Sequence, residues 1–64
     1  MRINTEALKI ARIQQGMTQS DLAGRVGVHV STICRLELGK QLGTKTLKRV
    51  ADALNLPMDQ VVAA

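Results

Sequence analysis

A chain of 64 residues has room for one domain, residues 1–64, and no second; without Phe, Tyr or Trp, its core must be assembled from Leu, Ile, Val, Met and Ala. Nine Lys and Arg against five Asp and Glu leave a net charge of +4, a surplus that suits a polyanionic partner but that many unrelated proteins share. A single cysteine excludes an internal disulfide, the opening Met-Arg-Ile-Asn-Thr lacks the apolar run of a signal peptide, and no stretch nears the roughly 20 apolar residues of a membrane span, so a soluble cytoplasmic protein with no membrane partner is expected.

The first helix is expected after Asn4 or Thr5, either of which can cap it with a side-chain oxygen. It runs through Leu8, Ala11 and Arg12 to about Gln15, where Gly16 stops it. Thr18 followed by Asp21 reads as a capping box opening a short second helix that closes at Val26, before Gly27. A third helix is expected from about Val30 to Leu38, with Gly39 as its left-handed stop. Beyond the loop from Lys40 to Lys45, Thr44 or Thr46 can cap a fourth helix. Its apolar positions are Leu47, Val50, Ala51 and Leu54. Pro57 suits the first turn of a last short helix through Val62. No segment alternates at period two, so the expected fold is all-α, a bundle of about five short helices.

The segment from Thr18 to Glu37 carries the most information. Ala23 is small where two helices must touch, and Gly27 sits where the backbone must reverse. Leu22, Val26, Val28, Ile33 and Leu36 fall at the spacing that seals such a helix pair onto a core. The face left outside carries Val30, Ser31, Cys34 and Arg35, the placement of a helix that reads the major groove.

Arg12, Gly16, Thr18-Gln19, Leu22-Ala23, Gly27-Val28, Ser31-Thr32-Ile33, Leu36-Glu37 and Gly39-Lys40 stand together at fixed spacings. Leu47, Ala51, Leu54 and the closing Leu-Pro-Met-Asp-Gln-Val-Val follow. In this combination the chain, from Leu8 to Val62, resembles the phage repressor/Cro-type (XRE-like) helix-turn-helix family. The resemblance implies a lambda-repressor-like fold and sequence-specific binding of double-stranded DNA as a transcriptional regulator, most often a repressor, from a bacterium, phage or plasmid. It implies base-facing positions at Val30, Ser31, Cys34 and Arg35. Phosphate contacts are implied at Thr18 and Gln19 and in the loop bearing Lys40, Gln41, Thr44 and Lys45. It also implies that Arg12 and Glu37 form a partly buried pair tying helix 1 to the end of helix 3.

Elementary chemistry supports these positions. The first turn of a helix has free N–H groups and a partial positive charge that attract phosphate. A side chain such as Arg35 can present a fork to guanine O6 and N7. Several features depart from the family pattern. His29 stands where Ser or Thr usually caps the reading helix, Val30 replaces a polar reading residue, and Ile10 and Leu38 are surface hydrophobes without a role on DNA.

Other chemistry finds little support. His29 and Cys34 are too few to ligate zinc, which takes three or four protein ligands. Gly39-Lys40 and Gly43-Thr44-Lys45 lack the spacing and preceding strand of a nucleotide loop. One His and one Cys without a third partner suggest no catalysis, so no enzyme and no cofactor are expected. Lys48 and Arg49 read as a solvated face of helix 4. A homodimer on a palindrome is expected, with Leu56, Met58, Val61 and Val62 as a seam that must also cover the core. The alternative is a protein-interaction module of the same fold, such as an antitoxin or adaptor, for which Ile10, Val30 and Leu38 speak.

Overall fold

The computed structural model of the chain describes residues 2–40 and 43–63. Its helices are α1 (Thr5–Gln14), α2 (Gln19–Val26), α3 (Val30–Glu37), α4 (Thr44–Ala53) and α5 (Met58–Val61), flanked by the two-residue strands β1 (Arg2–Ile3) and β2 (Val62–Ala63).

Side chains at the helix starts explain most boundaries. Of the two candidate caps for α1 it is Asn4 that acts, its Oδ1 accepting from the Ala7 N–H at 3.1 Å. At α2 the Thr18 hydroxyl accepts from the Asp21 N–H at 3.0 Å while the Asp21 carboxylate accepts from the Thr18 N–H at 2.9 Å, a complete capping box. The start of α4 differs from expectation. Gly43 occupies the cap, Thr44 is the first helical residue, and among the described residues no side chain caps the opening turn. Three of the helix ends share one arrangement. Gly16 donates to the Ile13 carbonyl and Met17 to that of Arg12, and after α3 Gly39 donates to Leu36 and Lys40 to Arg35. Asn55, at φ 58°, takes the corresponding place after α4, tolerating the left-handed region as few other side chains do.

The core is wholly aliphatic apart from Met17. Leu8, Leu22, Ile33, Leu36, Leu47, Val50, Leu54 and Val61 are its largest fully buried side chains, and each such Leu, Ile or Val stabilises the fold by about 1.5–3 kcal/mol. Buried Ala23 lets α2 and α3 approach, and Val28 packs half-buried against the same cluster.

Two features depart from a purely helical reading. Pro57 caps α5 instead of entering it, and the helix ends at Val61, so Val62 passes into β2. There it pairs antiparallel with β1, Ile3 opposite Val62 and Arg2 opposite Ala63, and the Asn4 N–H donates to the Val61 carbonyl at 2.7 Å. Two residues per strand are too few for a period-two pattern to register in sequence. Val61 is fully buried and Leu56, Met58 and Val62 pack against the core, so that segment is first of all part of the fold's interior.

The α2–α3 turn rests on Gly27, which sits at φ 85° and would bring an added Cβ to 3.1 Å from Arg49 Nη2. Arg49 is not a free surface charge. Its Nη2 donates to the Val26 carbonyl and places a cation at the negative end of α2. Lys48 matches the expected solvated face, pairing with Asp52 one turn on at 2.7 Å, with both side chains exposed.

Two glycine substitutions should therefore move stability in opposite directions. Gly27→Ala forces a left-handed alanine against the Arg49 contact and should cost about 1–2 kcal/mol. Gly24 has an ordinary helical backbone with open space around it, so Gly24→Ala should add about 0.5–1 kcal/mol. Urea unfolding followed by circular dichroism measures both, and a Gly27→Ala variant as stable as the parent would contradict the turn geometry.

Candidate nucleic-acid interface

The orientation of α3 is set by its inner side chains. Ile33 is 0% and Leu36 1% exposed, so the positions on the opposite side of the helix must face solvent. Val30, Ser31, Cys34 and Arg35 are all exposed there, and Leu38, 70% exposed, extends the outer surface past the last turn. Among the described residues nothing pairs with the Arg35 guanidinium, which therefore presents its full fork of donors outward.

The entry to α3 is built on His29. Its backbone is extended, and its Nδ1 accepts from the Ser31 N–H at 3.1 Å, so an imidazole does the work that a Ser or Thr hydroxyl usually does. The same Nδ1 lies 2.9 Å from the Ser31 hydroxyl.

The other named positions fall into two groups. At the start of α2, Thr18 is exposed and engaged in its capping box, while Gln19 is half-buried and its Nε2 donates to Glu37 Oε1 at 3.2 Å. After α3, Lys40, Thr44 and Lys45 are exposed, and Gln41 lies outside the described residues. Thr44 and Lys45 occupy the uncapped first turn of α4 and border a shallow groove completed by Lys48, Arg49 and Met58.

A nearly buried network joins the three elements around this region. Arg12 Nε donates to Glu37 Oε2 at 2.6 Å and Arg12 Nη2 to Oε1 at 3.2 Å, with the two side chains 11% and 7% exposed. The remaining nitrogen, Nη1, donates to the Met17 carbonyl at 2.7 Å. One guanidinium thus fixes the end of α1, the lead into α2 and the end of α3. Gln15 adds a link between residues too far apart in the chain for local spacing to reveal, its Nε2 donating to the Leu54 carbonyl at 2.9 Å. Ile13, like Ile10, is an exposed apolar residue of α1, and it was not marked as one by its spacing.

Burial pushes the Glu37 carboxyl upward, but hydrogen bonds from Arg12 and Gln19 and the charges of Arg12 and Lys9 outweigh it and hold Glu37 below the usual glutamate range. Asp21 is also held low, chiefly by the Thr18 backbone N–H.

An α2–turn–α3 pair of this geometry, set on a small helical core, defines a helix-turn-helix DNA-binding module. A helix-turn-helix family model matches residues 8–61, and the chain belongs to that family, the phage repressor/Cro type of DNA-binding regulator. A comparison with curated proteins finds no match. The family is one of regulators, not enzymes, and its partner is DNA. Among the described residues, no helix is long and apolar enough to cross a membrane, and no three metal-ligating side chains come together.

The depressed Glu37 value fixes the sign of an acid effect. A carboxylate lower in the folded than in the unfolded chain stabilises the fold above the unfolded value, and that contribution disappears as pH falls through the folded one. Glu37→Gln should lower stability at pH 7 by about 1–3 kcal/mol. Its stability should also fall less than the parent's between about pH 5 and pH 3. Urea midpoints across that window decide the matter, and parallel profiles would remove Glu37 from the acid response.

Proposed function

We propose that this protein is a sequence-specific transcriptional regulator, acting as a repressor in the cytoplasm of a bacterium or in a host of its phage or plasmid. The observation that carries this reading is the exposed stripe of Val30, Ser31, Cys34 and Arg35 on a helix pinned by Ile33 and Leu36. In this reading α3 lies in the major groove. Arg35 forks onto guanine O6 and N7, Val30 meets a thymine methyl, and Cys34 is a small spacer against the base edges.

Phosphate contacts come from Thr18 and Gln19 at the start of α2, and from Lys40, Gln41, Thr44 and Lys45 around the start of α4. There the positive end of α4, without a side-chain cap among the described residues, and the lysines both favour negative oxygens. Arg12 and Glu37 hold Gln19 in place and do not themselves read DNA. One such module touches few base pairs, so the working form is a homodimer on a palindromic operator, with half-sites centred about 34 Å apart.

A protein partner is the second reading, favoured by the exposed Ile10, Ile13 and Leu38. Salt separates the two, because phosphate neutralisation makes DNA affinity fall steeply with ionic strength. Absence of affinity for any duplex at low salt would leave the protein-partner reading standing alone.

Two substitutions test the division of labour on a duplex selected from a random pool. Arg35→Ala should cost about 1–3 kcal/mol on the selected site and blur one base position. Lys45→Ala should weaken selected and unrelated duplexes alike and lower the salt slope by about one. Unchanged site preference in Arg35→Ala would strip Arg35 of its reading role.

A further inference from the structure

We infer that His29 locks the Ser31 hydroxyl into one hydrogen-bonding polarity, so that Ser31 accepts from exocyclic base amines and makes no contact with phosphate. The inference rests on the proposed docking of the outer face of α3 against base edges and adds to it what one side chain there can recognise.

Two distances to a single atom fix the polarity. The Ser31 N–H, 3.1 Å from His29 Nδ1, has only a proton to offer, so Nδ1 must be the unprotonated ring nitrogen and Nε2 must carry the hydrogen. The Ser31 hydroxyl, 2.9 Å from that same Nδ1, then turns its hydrogen onto the same lone pair, which it shares with the backbone N–H in a three-centre bond. The opposite tautomer would set an Nδ1–H against the backbone N–H, two donors in contact. With its one hydrogen committed, Ser31 Oγ has only lone pairs left to present outward.

In the major groove those lone pairs match the N6 amine of adenine or the N4 amine of cytosine, one of which occurs in every base pair. They do not match guanine O6 or N7, thymine O4 or a phosphate oxygen, all of which accept. A serine cap at position 29 has its own rotatable hydrogen and would leave Ser31 free to donate or accept. The imidazole cap converts an ambiguous contact into a directional one.

Atom-level substitution in a selected duplex tests this. Comparing the parent with Ser31→Ala locates the base pair at which Ser31 acts. Deleting the exocyclic amine there, as purine for adenine or the 4-deamino base for cytosine, should weaken the parent about three- to tenfold, the range of one net hydrogen bond, and leave Ser31→Ala unaffected. Replacing the purine of that pair by its 7-deaza analogue should produce no Ser31-dependent loss. His29→Gly keeps a tolerated cap residue but frees the hydroxyl, so Ser31-dependent sensitivity to the 7-deaza base should appear in that background. Proton–nitrogen NMR of the free protein in mildly alkaline buffer should report Nδ1 as the bare ring nitrogen.

A Ser31-dependent loss with the 7-deaza base in the parent overturns the inference while leaving DNA reading intact. So does a uniform weakening of all duplexes by Ser31→Ala, or a proton found on Nδ1. Failure of the parent to select any duplex overturns the docking reading, and the inference with it.

Discussion

Ile33 and Leu36 are the fixed points of this molecule. With both side chains sealed in the aliphatic core, α3 has no freedom to rotate about its axis, and the direction of every other side chain on it follows. Leu22 and Val26 hold α2 against the same core, the small Ala23 allows close approach, and the left-handed Gly27 turns the chain between them. The outward stripe from Val30 to Arg35 is thus a consequence of what is buried on the other side.

A core without aromatic side chains gives limited burial, and polar links at the element ends add the precision that packing alone would leave loose. Arg12 spends its donors on the Glu37 carboxylate and the Met17 carbonyl, and Glu37 passes the constraint on to Gln19. The ends of α1 and α3 and the start of α2 therefore move together. Arg49 does the same for the end of α2 from the side of α4. A mostly buried ion pair is costly to desolvate, so its value here lies as much in fixing geometry as in net stability.

Local chemistry made much of the fold legible in the sequence. The Asn4 cap, the Thr18–Asp21 box and the stops at Gly16, Gly27 and Gly39 are rules acting over three or four residues, and the helical spacing of Leu47, Val50, Ala51 and Leu54 is equally local. Links between distant residues were not legible in the same way. Arg12 and Glu37 lie 25 positions apart, and only the family resemblance brought them together. The hydrogen bonds of Gln15 to Leu54 and Arg49 to Val26 had no such guide. The same reason hid the pairing of β1 with β2, which joins opposite ends of the chain through two residues each. Gly43 displaced the threonines as the α4 cap because an extended backbone suffices there without a side-chain bond. At the site, exposure of the α3 face followed from periodicity, whereas the linkage of His29 to Ser31 follows only from atomic distances.

The surface held outward by Ile33 and Leu36 is the one proposed to meet DNA. Backbone amide NMR during titration with a short selected duplex maps the contact residue by residue. The largest shifts are expected along Val30–Arg35 and at the first turns of α2 and α4, with the buried amides of α5 little changed. Shifts centred instead on Ile10 and Ile13 of α1, with the α3 face silent, would contradict that proposal.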